Sequence, residues 1–230
     1  MSRFTRKLEK LADRDASLRE LVSYRILRAN LNWPDHQQVL LDAVSTFSAI
    51  HPHHQFYVTH GGPEVRPGDG SENIGESWVI LNCMSYLTGK VHRSVTGKVD
   101  RQIESGAQLV FHFTHSTGLF QVYLHPPILS DSRKKHHIEC LIWYSTSLDR
   151  VDSRFAYRMI KRMLAFQRVE SSFQLSYGYE KLMVRYWRFI DARNRRKLLP
   201  EQHLLLTGWE LAVIAGVIAA GGFLVSLLST

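Results

Sequence analysis

The sequence predicts an α+β fold with an N-terminal helical hairpin, a central antiparallel β-meander, and C-terminal helices that lead into a single transmembrane helix. Three observations support this prediction. Apolar residues recur every three or four positions near the N-terminus, they alternate with polar residues between 108 and 144, and the stretch 211–228 contains no charged residue. The predicted cytosolic α+β domain covers 1–205, and the predicted transmembrane tail anchor covers 207–229. Within the domain, the predicted parts are 1–50 (helical), 51–150 (mixed, with the meander) and 151–199 (helical).

The first fifty residues are predicted to form two paired helices. Apolar positions such as Leu8, Leu11 and Leu18 mark the first helix. Pro34 lies in a predicted turn, because proline lacks a backbone donor. The second helix follows with an apolar side that includes Leu40 and Phe47, and the two helices are expected to pack as a hairpin.

The stretch 51–76 is predicted to be mostly an irregular loop after a short strand at 55–59. A GxxxxG spacing occurs in it, but Glu76 and Ser77 follow where a P-loop needs Lys and then Ser or Thr. The sequence therefore excludes a standard P-loop. Residues 77–88 fit either a helix or a strand. A four-residue repeat of valine and isoleucine over 91–105 favours a helix, although Gly97 weakens a helix there.

The clearest β pattern covers residues 108–144. Leu109, Phe111 and Phe113 alternate with the residues between them, and turn residues separate this run from the runs at 119–125 and 138–144. Short alternating runs of this kind predict antiparallel strands.

From residue 152 onward the chain is predicted to be helical again, with a second helix over 172–197. A basic stripe on the first of these helices and a basic loop before the third strand predict an anion-binding surface. Its predicted residues are Arg133, Lys134, Lys135, Arg154, Arg158, Lys161 and Arg162. The alternative is a solvated helix face that contacts lipid headgroups.

The membrane segment (residues 207–229) is the strongest functional signal in the sequence. Eighteen uncharged residues in a helix extend about 27 Å, close to the ~30 Å hydrocarbon thickness of a bilayer. A basic collar precedes it and predicts a cytoplasmic location for the bulk of the chain. This collar consists of Arg185, Arg188, Arg193, Arg195, Arg196 and Lys197. The sequence thus predicts a single-pass protein of the inner (cytoplasmic) membrane.

Small residues repeat every four positions along the membrane segment, at Ala212, Gly216 and Ala220. Such a face lets two helix backbones approach closely in lipid. We therefore expect self-association, or assembly with other membrane subunits.

The sequence contains no recognisable catalytic or metal-binding motif, and no cofactor is predicted. Cys83 and Cys140 are far apart in the chain, which fits a reducing cytosol and no disulfide framework. If a metal is bound, His112 and His115 are the candidate ligands. However, an odd offset on a strand directs two side chains to opposite faces.

These observations predict a membrane-anchored, non-enzymatic protein whose cytosolic domain senses a ligand or docks a partner. The expected partners are membrane lipid, further copies or other membrane subunits, and a nucleotide or nucleic acid, in keeping with the net charge of +8. In layout, though not in motifs, the chain resembles the small membrane effectors of bacterial defence systems. The alternative is a tail-anchored hydrolase or transferase that depends on His112, His115 or His125.

Overall fold

The structure, a computed structural model, describes residues 3–50, 56–62, 75–93, 99–130, 139–171 and 174–195, together with residues 212, 215 and 216. The described chain has the predicted α+β class, with a long helix, then strands, then helices. The order of elements is α1 (Arg3–Ile50), β1 (Tyr57–Gly61), β2 (Glu76–Asn82), β3 (Tyr86–Arg93), β4 (Val99–Ser105), β5 (Gln108–Thr114), β6 (Leu119–His125), β7 (Ile128–Leu129), β8 (Cys140–Ser145), α2 (Ser153–Glu170), α3 (Gly178–Ile190) and α4 (Ala192–Arg195).

The helix α1 is continuous through Pro34, so the prediction of a helical hairpin is wrong. A proline inside a helix removes one backbone hydrogen bond and costs about 3 kcal/mol. The neighbouring Trp33 offsets this cost. Its side chain is 2% exposed and stacks on Phe113 of β5 with 4.6 Å between ring centroids. Since Leu40 and Val44 belong to the same core, tertiary packing on both sides of the proline keeps the helix in one piece.

The main sheet has five antiparallel strands in the order β1-β2-β5-β6-β8. The three predicted meander strands correspond to β5, β6 and β8, and the predicted short strand corresponds to β1. Along β5 and β6 every second side chain is buried, as the alternation in the sequence indicates. The buried face carries Phe113, which contacts α1, and Phe120, which lies 6.1 Å from Phe155 of α2. Both helices therefore cover the same face of the sheet.

A second, three-stranded antiparallel sheet has the order β3-β4-β7. The ambiguous stretch 77–88 contributes strands to both sheets, and the helix favoured over 91–105 is wrong because β4 occupies much of that stretch. The burial of β4 has a period of two. Gln102 and Glu104 are buried, whereas Ile103 between them is exposed. This alternation is the two-residue period of a strand. In the sequence, the four-residue repeat of valine and isoleucine obscures it.

The helices α2 and α3 complete the core. Asp152 caps α2 by accepting a 2.6 Å hydrogen bond from the backbone N–H of Phe155. One side of α2, which includes Phe155, Met159 and Phe166, is buried. The second predicted helix is shorter than expected, since α3 ends at Ile190 and Asp191 separates it from α4. Asp191 is 1% exposed and accepts a hydrogen bond from the backbone N–H of Leu141 at 2.8 Å, which attaches the break between α3 and α4 to the edge strand β8.

Within the described residues, no helix is both long enough and apolar enough to cross a membrane. Of the membrane segment, the structure describes only Ala212, Ala215 and Gly216, which have helical backbone and exposed positions. Ala220 and the remaining residues of the segment lie outside the described residues, so a membrane crossing by this segment stays a prediction.

Candidate functional site

The predicted cations of α2 share one side of the helix, which we call the basic face of α2. It consists of Arg154, Arg158, Lys161 and Arg162. The first three side chains are exposed and the last is half-buried. The guanidinium of Arg158 lies 5.9 Å from the ring of Phe155, and that of Arg162 lies 5.5 Å from the ring of Trp187. Burial is the main cause that lowers the pKa of Arg162, and the positive charge of Arg158 lowers it further.

These four side chains form a compact patch of positive charge, in which two guanidinium groups contact aromatic rings. Anion binding at this patch stays a prediction. The loop cations Arg133, Lys134 and Lys135 lie outside the described residues.

Arg188 and Arg193 of the basic collar have intramolecular carboxylate partners. Arg188 lies 2.8 Å from a carboxylate oxygen of Glu170. Arg193 contacts Glu139 and lies 2.9 Å from Asp191. These ion pairs join the end of α3 and α4 to the rest of the domain. Of the other collar residues, Arg185 is exposed on α3 and Arg195 ends α4, while Arg196 and Lys197 lie outside the described residues.

A groove of about 400 Å³ lies between the end of α2 and α3. Three cations and one carboxylate line it, together with apolar side chains. The polar lining residues are Glu170, Lys181, Arg185 and Arg188. Because the positive charges outnumber the negative one, this groove is a second candidate binding site for an anionic ligand.

The candidate metal ligands His112 and His115 are on opposite faces of the main sheet. His112 shares a face with Glu76, whose carboxylate lies 3.1 Å from its Nε2 atom. His115 follows β5 on the other face, beneath α1, where its ring is perpendicular to that of Phe113. Among the described residues there is no group of three side chains that could hold a metal ion.

His115 belongs instead to a hydrogen-bonded network of Ser, His and Asn that links α1 to two strands. The hydroxyl of Ser77 at the start of β2 lies 2.6 Å from His115 Nε2. On the other side of the ring, Nδ1 lies 2.7 Å from Oδ1 of Asn30 on α1. A nucleophile, a base and a residue that orients the base are arranged in this order in serine hydrolases.

The hydrogen bonds around Asn30 assign the tautomer of His115. The amide nitrogen of Asn30 donates to the carbonyl oxygens of Ile26 and His115, each at 3.0 Å. Its Oδ1 atom must therefore accept, so Nδ1 of the imidazole carries the proton. Nε2 of the neutral ring then accepts the hydrogen of the Ser77 hydroxyl. Burial lowers the pKa of His115 below its ordinary value of 6.5, which keeps the ring neutral at pH 7.

The network lies at one end of the sheet, beside the glycines that end β1. Ser77 is 2% exposed, and a Cβ atom added to Gly62 would lie 3.5 Å from its hydroxyl oxygen. The backbone at Gly62 therefore passes close to this buried hydroxyl. The sequence indicates His115 as a candidate but not Ser77 or Asn30, because they are 38 and 85 residues away from it, and no local pattern connects them.

The first half of α1 extends beyond the core, and its side chains are exposed from residue 6 to residue 25. It nevertheless carries large apolar side chains on one side of the helix, in a three- and four-residue repeat that Asp15 interrupts. We call this the apolar stripe of α1, and it consists of Leu8, Leu11, Leu18 and Val22, which are 50–62% exposed. Contiguous exposed apolar side chains mark interaction surfaces, so this stripe is the strongest docking candidate among the described residues.

Comparison with known proteins finds no match for this chain among protein-family models, curated protein sequences or solved structures. The functional conclusions therefore rest on the residues and their geometry.

Proposed function

We propose that this protein is a membrane-anchored, non-enzymatic docking protein. The apolar stripe of α1 carries this proposal, because a solvated half-helix with large apolar side chains on one side is what a docking element needs. The core supports the projecting half rigidly, since the same helix continues into the sheet through Trp33, Leu40 and Val44. α1 would thus present its stripe at a defined position relative to the domain.

The membrane segment supports the anchoring part of the proposal. It is long enough and apolar enough for one crossing, and the basic collar before it favours a cytoplasmic domain. The small-residue face at Ala212, Gly216 and Ala220 would allow anchored copies, or other membrane subunits, to associate. On this proposal the basic face of α2 is available to an anionic ligand such as a nucleotide, whose binding would regulate docking.

Alkaline carbonate extraction of cell membranes tests the anchor. We expect the full-length protein to stay in the membrane pellet, as a spanning helix does. The double variant Ile218→Arg, Leu224→Asp should move to the supernatant, because each charge costs about 2.5–3.5 kcal/mol at the centre of a spanning helix. The matched control Ile218→Leu, Leu224→Ile should behave like the wild type. Wild-type protein that carbonate releases completely would contradict the proposal.

A second function, hydrolysis of an ester or another acyl compound, is favoured by the geometry around His115. In this reaction the oxygen of Ser77 attacks the acyl carbon while its proton passes to His115 Nε2. His115 then returns that proton to the leaving alcohol, and Asn30 holds Nδ1–H in place throughout. Water repeats the sequence on the acyl-enzyme, which releases the acid and restores Ser77. The same hydrogen bonds also fasten α1 to β2, so their presence is compatible with a purely structural role.

Labelling with a fluorophosphonate probe separates the catalytic role from the structural one. If Ser77 is a nucleophile, Ser77→Ala should reduce the labelling rate at least about 10³-fold. The control Ser116→Ala should leave labelling unchanged, because that serine is exposed on the turn after His115. Labelling should reach half its maximum below pH 6.5, since His115 must be neutral to accept the proton and its pKa is lowered. A folded wild-type protein that takes up no probe would refute this second function.

A further inference from the structure

The charges on the projecting half of α1 are segregated around the apolar stripe. At 3.6 residues per turn, the four stripe residues lie within about 80° of arc. The cations on the adjoining side of the helix are Lys7, Lys10, Arg14 and Arg25. The acids nearly opposite the stripe are Glu9, Asp13 and Glu20, and Arg6 is the one cation among them. All these side chains are exposed. The helix therefore combines an apolar stripe, a cationic flank and an acidic far side.

One acid, Asp15, lies within the arc of the stripe, but it has a cationic partner. Its carboxylate lies 2.8 Å from the guanidinium of Arg19, one turn further along the helix. The pair places a positive charge on the second flank of the stripe. Both borders of the stripe thus carry cations, and Asp15 is the one acid close to it.

We propose that the projecting half of α1 lies on the anionic surface of the same membrane that holds the anchor. The apolar stripe would enter the boundary between headgroups and acyl chains, the cations would contact phosphate groups, and the acidic side would face water. This is the arrangement of amphipathic helices that bind membranes in the interfacial plane. The inference rests on the proposed membrane anchoring, and it identifies the docking partner of α1 as an anionic lipid surface.

The charges favour lipid over a second copy of the chain. In an antiparallel helix pair the cationic flank would face the cationic flank of the other copy, and the repulsion would oppose association. In a parallel pair the cations Arg14 and Arg19 would approach each other across the interface. The apolar repeat is also interrupted at Asp15 and Arg25, whereas a coiled-coil seam needs an apolar residue at nearly every such position.

Site-directed labelling of the full-length protein in lipid vesicles tests the inference. An environment-sensitive dye is attached to Leu18→Cys on the stripe or, as the matched control, to Glu20→Cys on the far side. The native thiols should not compete, because Cys83 and Cys140 are buried and burial raises the pKa of each to about 12. The vesicles contain phosphatidylcholine either alone or mixed with phosphatidylglycerol.

We expect the dye at position 18 to report an apolar environment in the phosphatidylglycerol vesicles, and the dye at position 20 to report water in both vesicles. High salt should weaken the signal at position 18, because it screens headgroup attraction. Neutralising Lys7, Lys10 and Arg14 together as glutamines should lower the ratio of immersed to free helix about fivefold for each cation. The variant Glu9→Gln, Asp13→Gln, Glu20→Gln should preserve or raise that ratio.

Two results would overturn the inference. One is a dye at position 18 that reports water in anionic vesicles while the protein remains resistant to carbonate, which would leave the anchor intact and remove only the role of α1. The other is efficient Leu18→Cys cross-linking between copies that does not depend on lipid charge, which would assign the stripe to self-association. Complete release of the protein by carbonate would instead refute the anchoring proposal itself.

Discussion

Replacement of Trp33 by alanine is expected to destabilise the domain by about 3–5 kcal/mol, the usual cost of removing a large buried aromatic side chain. Trp33 is 2% exposed, stacks on Phe113 and lies 5.8 Å from Phe120. The loss should be unusually damaging because the next residue is Pro34, where the helix already lacks a hydrogen bond. Without the indole ring, we expect α1 to break at Pro34, where the sequence predicts a turn.

Chemical denaturation of full-length protein, followed by circular dichroism, measures this effect. The matched control is Leu31→Ala on the same helix, which should change the free energy of unfolding by less than about 0.5 kcal/mol, since Leu31 is 70% exposed. Equal effects of the two substitutions would show that Trp33 does not hold α1 on the sheet.

Replacement of Arg168 by methionine is expected to cost about 3–5 kcal/mol at neutral pH, because it leaves a buried carboxylate without its counter-charge. Glu180 is 1% exposed, and its oxygens accept hydrogen bonds from Arg168 at the end of α2. One oxygen also accepts from the backbone N–H of Tyr177, at the start of α3. This single carboxylate therefore connects two helices and caps one of them.

The loss of stability in Arg168→Met is expected to depend on pH. The hydrogen bond from Arg168 is the main cause that lowers the pKa of Glu180 below its ordinary value of 4.5. A lowered pKa in the folded state stabilises the protein above the unfolded-state pKa, and this stabilisation is lost as the pH falls through the folded-state value. In Arg168→Met the uncompensated carboxylate should have a raised pKa instead.

The difference in unfolding free energy between wild type and Arg168→Met should therefore shrink as the pH falls from the raised pKa of Glu180 in the variant to its lowered pKa in the wild type. Denaturation at a series of pH values measures it, with Arg154→Met on the exposed side of α2 as the control. A difference that is constant across this range would mean that charge pairing is not the source of the effect.

The relation between sequence and structure differs from one element to the next. Strands β5 and β6 could be predicted from alternation alone, because a half-buried strand repeats every two residues whatever it pairs with. The basic face of α2 follows from the helical period in the same way. The strand β4 could not be predicted, since its buried positions are Gln102 and Glu104, and polar residues give no apolar alternation to detect.

The local periods, the distribution of charge along α1 and α2, and the apolar character of residues 211–228 follow from the sequence alone. Features that depend on contacts between distant residues follow only from the folded chain. Burial of Trp33 on the sheet carries α1 through Pro34, strand register brings Ser77 to His115 across 38 residues, and α1 adds Asn30 from 85 residues away. Periodicity reports which side of an element is apolar, whereas the partner on that side is selected by the packing of the whole chain.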